Sequence, residues 1–362
     1  MNDSSKLCSY DISLSYADNY DKGPFFNGEL RSRPKPTSTI TLFDQNLNSR
    51  LGVAAGPLLN SRWCKLYAQL GFDLPVYKTV RSISRASHPA PNCLYLNAPS
   101  PFSADDLNQN ITASHDANEI EKISITNSFG VPSPEPGIWM RDVELGNQSM
   151  GKGQLMIVSV NGTPGLKERS LEEDYAYVAS LAKEAGAKTI EVNYSCPNLG
   201  GSKEGQLFAD PENSARISKK IRQAIGSTPF MIKLGWMPAE QLKHVVHANR
   251  PYVDGFAAIN TIPRKILDTR GHQALEGEGR AISGTCGYAI GELALQCTQS
   301  LVDIREQMHD DFVICSVGGM MTANDLQQRL DLGADLVMSA TAAMWDPYLA
   351  NKFHSQLSSF SA

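Results

Sequence analysis

The stretch 189–201, TIEVNYSCPNLGG, places a thiol where a strand ends. Thr189, Ile190, Val192 and Tyr194 favour an extended buried strand, and Ser195-Cys196-Pro197-Asn198 interrupt it at once. Most cysteines are small buried hydrophobes. In a loop that solvent reaches, a thiol can instead accept a proton once its neighbours lower its pKa. Pro197 disfavours helical geometry at Cys196, so the thiol is expected in an extended turn above the strand. Two lysines, Lys78 in LPVYKTV and Lys233 in FMIKLGW, stand toward the ends of otherwise apolar runs. Asn161, Asn193, Ser195, Asn198, Asn260 and Thr261 occupy other strand exits. Any one of them would be unremarkable where a strand meets water. Together they suit a ligand with planar carbonyl and N–H edges and a negative charge.

Eight short apolar runs must position these residues: 50–56, 74–80, 155–162, 189–195, 230–236, 255–261, 311–319 and 334–342. Such runs suit parallel strands buried on both faces. Amphipathic segments separate most of them, among them SLEEDYAYVASLAKEAG, PENSARISKKIRQAIG and TANDLQQRLDLG, several with a capping residue first and a glycine last. The alternation predicts an α/β chain folded as a (β/α)8 TIM barrel, with a doubly wound sheet as the alternative. Residues 39–362 form the barrel in this reading, and 1–38 an N-terminal extension whose aromatics pack onto it. Insertions at about 81–150 and 262–290 follow strand C-termini and are expected to wall or cover the site. CSVGGMMTAND and VMSATAAMWDP, after the seventh and eighth strands, have the make-up of a phosphate site, with backbone N–H groups exposed at glycines and helix starts.

Composition narrows the function classes. The chain has 362 residues, 41% hydrophobic and 20% charged, with a formal net charge of −5. That balance argues against broad nucleic-acid binding, so an anionic ligand must be held by local donors. Seven cysteines without a C-x-x-C spacing suggest neither a disulfide framework nor a metal cassette. His244 and His247 lack partners that would make a metal site, and none is expected. A polar N-terminus and the absence of a long apolar run lead us to expect a cytoplasmic protein without a membrane span.

In order and spacing, VAAGP (53–57), VYKTVRS (76–82), NSFGVP (127–132), EVNYSCPNLGG (191–201), MIKLG (231–235), INTI (259–262), SGTCG (283–287), SVGGM (316–320) and SATAAM (339–344) resemble the dihydroorotate dehydrogenase family, in particular its soluble class 1 branch. The resemblance implies an FMN enzyme of pyrimidine (UMP) biosynthesis that oxidises dihydroorotate to orotate. Cys196 would remove the C5 proton, as a hydride passes from C6 to flavin N5. Lys78 would lie beside flavin and substrate, and Lys233 would contact the isoalloxazine and favour its anionic reduced form. Asn127, Asn193, Asn198, Asn260 and Thr261 would hold the substrate, assisted by the backbone of Phe129, Gly130 and Val131. Ala55, Gly56, Asn161 and Asn193 would line the cofactor, and Gly287, Gly318, Gly319, Ala340 and Thr341 its ring edge and phosphate. A soluble electron acceptor such as fumarate and a homodimer are also implied.

The chain departs from the compact class 1 pattern in its extension, in the length of 81–126, in NSFGVPSPEPG, which lacks an asparagine after the first proline, and in Thr261, where serine is usual. Three alternatives follow. An FMN enzyme of the same scaffold could act on free dihydropyrimidines or an enoate-type substrate, although dihydropyrimidine dehydrogenases typically carry histidine at the position of Asn198. A tRNA dihydrouridine synthase also has a Cys-Pro step, but the acidic balance disfavours it. A non-catalytic flavin-binding barrel would not need Cys196 and both lysines.

Overall fold

The computed structural model describes residues 8–33, 39–117, 119–195 and 207–360. Eight strands close a parallel barrel: β1 (Leu51–Val53), β2 (Leu74–Val80), β3 (Ile157–Val160), β4 (Ile190–Asn193), β5 (Phe230–Leu234), β6 (Gly255–Ala258), β7 (Val313–Val317) and β8 (Leu336–Ser339). Each pairs with its neighbours in sequence order, and β8 returns to β1 through Val337↔Leu51. All eight expected runs are therefore strands, and closure excludes the doubly wound alternative. The runs read as apolar because both faces of each strand are covered, by helices outside and by side chains inside. Leu74, Val76, Ile157, Met231, Cys315, Leu336 and Met338 fill the interior. A hairpin, Ile40–Leu42 with Gln45–Leu47, packs Leu42 and Leu47 against this cluster.

Two of the α-helices begin at capping boxes. Ser170 and Thr322 each accept from the backbone three residues on, while Glu173 and Asp325 bond back to them, before helices Leu171–Glu184 and Ala323–Asp331. Helices Ser61–Gln69 and Pro136–Gln148 complete the wall near β2. Among the described residues no helix is long and apolar enough to cross a membrane.

The stretches after β2 and β6 build one structure. Strands Cys93–Leu96, Ile111–Ser114 and Ser124–Asn127 from the first join Ile262–Leu267 and Ile282–Gly287 from the second in a closed five-stranded sheet. The stretches meet at two seams, an antiparallel one, Gly284↔Asn127 through Gly287↔Ser124, and a parallel one, Ile266↔Ile111 and Leu267↔Thr112.

The N-terminal segment is packed along the barrel. Asn60 Nδ2 donates to Tyr20 O at 3.0 Å, and Tyr348 Oη to Glu29 O at 2.9 Å. Farther along, Arg33 Nη1 reaches both oxygens of buried Asp73 at 2.6 and 2.7 Å.

Candidate active site

Between the C-terminal ends of the barrel strands and the five-stranded sheet lies a cavity of about 1210 Å³, counted out to the open solvent at its rim.

Its floor carries charge. Along β4 the side chains alternate, so Glu191 and Asn193 share the inner face while Ile190 and Val192 pack outward. Lys233, in register with Asn193 on β5, points to the same interior. Its Nζ lies 3.8 Å from Glu191 Oε1, with the two side chains 7% and 0% exposed. Glu191 Oε1 also accepts from Ser159 Oγ at 3.0 Å, and Ser159 shares a 2.9 Å hydrogen bond with Thr79. Lys78, one residue before Thr79, brings a second, largely buried cation to the wall.

Amides line the rim. Asn193 Oδ1 accepts from the Ser195 amide at 3.1 Å and from Asn260 Nδ2 at 3.2 Å. Asn260 Nδ2 also donates to the Ser195 carbonyl at 2.6 Å, while its Oδ1 accepts from the Thr261 amide at 2.8 Å. The end of β4 is thereby tied to the end of β6, immediately before the Cys-Pro step. Cys196 and Asn198 themselves lie outside the described residues.

The five-stranded sheet supplies the opposite wall through Cys93, Ile125, Asn127, Cys286 and Gly287. Asn127 Nδ2 approaches Cys286 Sγ at 3.5 Å. Burial pushes the Cys286 thiol up to about 11, against the opposing pull of hydrogen bonds from Thr341 and Asn127 and of the Lys233 cation. This cavity thiol is therefore protonated near neutral pH. The loops after β7 and β8 contribute Gly318, Gly319, Ala340 and Thr341. Gly319, with φ +73°, lies so close to helix Gly291–Met308 that a Cβ would collide with Gly291 Cα. Only glycine fits that approach.

Of the residues expected at the site, Ala55, Gly56, Lys78, Asn127, Phe129, Val131, Asn193, Lys233, Asn260, Thr261, Gly287, Gly318, Gly319, Ala340 and Thr341 surround this one cavity. Gly130 and Asn161 are buried but do not line it. Asn161 instead donates to Gly162 O at 2.7 Å and accepts from Tyr175 Oη at 3.2 Å. Sequence reasoning did not single out Glu191, Cys286 or Tyr10. Glu191 had a signal, a carboxylate in the middle of an apolar strand. Tyr10 had none, because nothing in its own segment marks its distant partner.

Comparison with known proteins gives a consistent result. The family model described as dihydroorotate dehydrogenase matches residues 117–360. A dihydroorotate dehydrogenase of Dictyostelium discoideum is 36% identical over 357 residues, covering 95% of this chain and 96% of that protein. The catalytic subunit of dihydroorotate dehydrogenase B (NAD(+)) from Staphylococcus carnosus is 30% identical over 191 residues, covering 52% of this chain and 59% of that protein. A crystal structure of the Eimeria tenella enzyme in complex with ferulenol matches with a TM-score of 0.70 over 91% of this chain and 86% of that one. At 15% identity that likeness speaks to the fold.

Proposed function

The chain belongs to the dihydroorotate dehydrogenase family, a family of flavoproteins, and is an oxidoreductase acting on a CH–CH group; from that premise we propose that it oxidises dihydroorotate to orotate with FMN as its cofactor. The observation that carries the reading is the meeting of two cations, Lys78 and Lys233, with the amides of Asn127, Asn193 and Asn260 around one cavity. A carboxylated pyrimidine presents a negative charge and alternating C=O and N–H edges, and these groups complement both.

The residues present fit FMN. A Cβ added at Gly56 would meet nothing within 4 Å, so the β1 loop offers a flat backbone surface on which a ring can lie. Ala55 widens that surface, and Gly287 edges it on the opposite wall. Gly318, Gly319, Ala340 and Thr341 would hold the phosphate through backbone N–H groups and one hydroxyl. Asn161, behind the wall, acts through Tyr175, which also donates to the Asn193 carbonyl at 3.0 Å.

Oxidation requires that a proton leave C5 and a hydride leave C6, and FMN, when bound, supplies the hydride acceptor. Cys196 takes the proton. The Ser195 tethers to Asn193 and Asn260 fix the backbone immediately before Cys196 in the sequence. Lys233 holds positive charge at the cavity floor, where it would favour a negatively charged bound group, and Glu191 fixes its position. Asn127, Asn193, Asn198, Asn260 and Thr261 orient the pyrimidine, with the backbone of Phe129 to Val131 closing over it. Fumarate or another soluble compound would serve as electron acceptor, and the enzyme would work in the cytoplasm as a homodimer.

The test is substrate choice under anaerobic conditions. Dihydroorotate should bleach the oxidised flavin, and dihydrouracil and dihydrothymine, which lack the carboxylate, should not. Bleaching by dihydrouracil but not by dihydroorotate would move the assignment to free dihydropyrimidines.

A further inference from the structure

The N-terminal segment reaches the cavity. Tyr10 lines it, is 3% exposed, and packs between Trp63 and Phe129 with ring centroids at 5.8 and 6.3 Å. Its backbone is clamped on both sides. The Ser9 amide donates to Met344 O at 3.3 Å, and the Asp11 amide to Asn19 Oδ1 at 3.0 Å. Six residues on, Tyr16 meets Phe129 from a second direction, edge-on at 5.9 Å. The Tyr16 amide donates to Asn92 Oδ1 at 3.2 Å, and the carbonyl of the same Asn92 accepts from the Ser128 amide at 2.9 Å.

Both tyrosines thus converge on residues 127–131, three of which, Asn127, Phe129 and Val131, line the cavity. The backbone there is unusual. Gly130 has φ +77° and Val131 φ +52°. A β-branched residue is rarely left-handed, and its surroundings must hold it there. His88 N donates to Phe129 O and Arg81 Nε to Val131 O, each at 3.0 Å, which restrains the backbone. The two tyrosine rings hold the Phe129 side chain from the N-terminal side.

We infer that Tyr10 and Tyr16 are positioning residues: through Phe129 they fix the ligand-facing loop 127–131, so the N-terminal segment is a working part of the site. The inference rests on the proposed reading only in naming the ligand. The role falls to the ring, which makes the contacts with Trp63 and Phe129.

The experiment compares wild type, Tyr10→Leu, Tyr10→Phe and Tyr16→Leu as FMN-loaded full-length proteins. Amide hydrogen exchange is read over residues 128–131, and orotate binding from the flavin spectrum. Tyr10→Leu should speed exchange in this loop by roughly 10-fold or more, with the barrel strands unchanged. It should weaken orotate binding about 5- to 10-fold at unchanged flavin content, and restoring the ring with Tyr10→Phe should restore both. Tyr16→Leu should act in the same direction, and it decides the matter if Tyr10→Leu does not fold. Loop exchange that stays at the wild-type rate in the leucine variants would overturn the inference, as would a Tyr10→Phe protein as impaired as Tyr10→Leu. A wild-type protein that binds no orotate would count against the proposed substrate, while the exchange comparison would still decide this inference.

Discussion

Lys233 Nζ stands 3.8 Å from Glu191 Oε1 on adjacent barrel strands, and neither side chain has appreciable contact with solvent. Two charges placed this deep must answer each other, because an unpaired one would bear the full cost of lost hydration. Ser159 and Thr79 extend the pair into a chain of polar contacts around the barrel floor.

Stability and catalysis should separate at this pair. Lys233→Met leaves Glu191 buried without its cation and should cost about 3–5 kcal/mol in chemical denaturation. Adding Glu191→Gln removes the orphaned charge while keeping an acceptor for Ser159, and should recover much of that loss. Flavin reduction should remain slowed by roughly 10²-fold or more in both variants, because the cation is missing from each. A double variant with restored reduction would show that Lys233 acts only in folding.

The loop over the cavity should be sensitive at Gly130. Its φ is +77°, and a Cβ there would stand 2.7 Å from His88 Nε2, so alanine meets both an unfavourable backbone conformation and the imidazole. The backbone component alone is worth about 1–2 kcal/mol. Gly130→Ala should therefore lower the denaturation midpoint and weaken orotate binding, as followed by urea titration and flavin absorbance.

Thiols with raised pKa values set an alkaline limit. Burial raises Cys8 and Cys286 to about 11 and Cys297 to about 12 from the ordinary 9.0. In the unfolded chain these thiols ionise near 9.0, whereas in the folded protein they stay protonated. Their stabilising contribution is therefore complete below pH 9.0 and is lost as pH rises toward 11–12. Thermal melts in reductant from about pH 8 to about pH 11 should show a falling midpoint, less steep in Cys297→Ala. An unchanged slope in that variant would remove Cys297 from the account.

The sequence made the barrel legible because each strand is buried on both faces and so reads as an apolar run. Lys78 and Lys233 stood out for the same reason, as charges where such runs admit few. What stayed hidden depends on pairing across long separations. Nothing local indicates that Asn127 will face Gly284, so the two long stretches read as separate insertions when they form one sheet. Tyr10 and Phe129 likewise meet from distant parts of the chain, and aromatic residues carry no address. Glu191 was readable in principle, since an acidic residue on the inner face of an apolar strand requires a partner, and Lys233 is that partner.

The most direct measurement compares wild type with Cys196→Ala, each carrying FMN, mixed anaerobically with dihydroorotate while the oxidised-flavin absorbance is followed in a stopped-flow instrument. The account predicts rapid bleaching in the wild type and a rate lower by about 10²–10⁴-fold in the variant, the usual weight of a positioned general base. Equal rates in the two proteins would contradict it and place the proton acceptor elsewhere in the cavity.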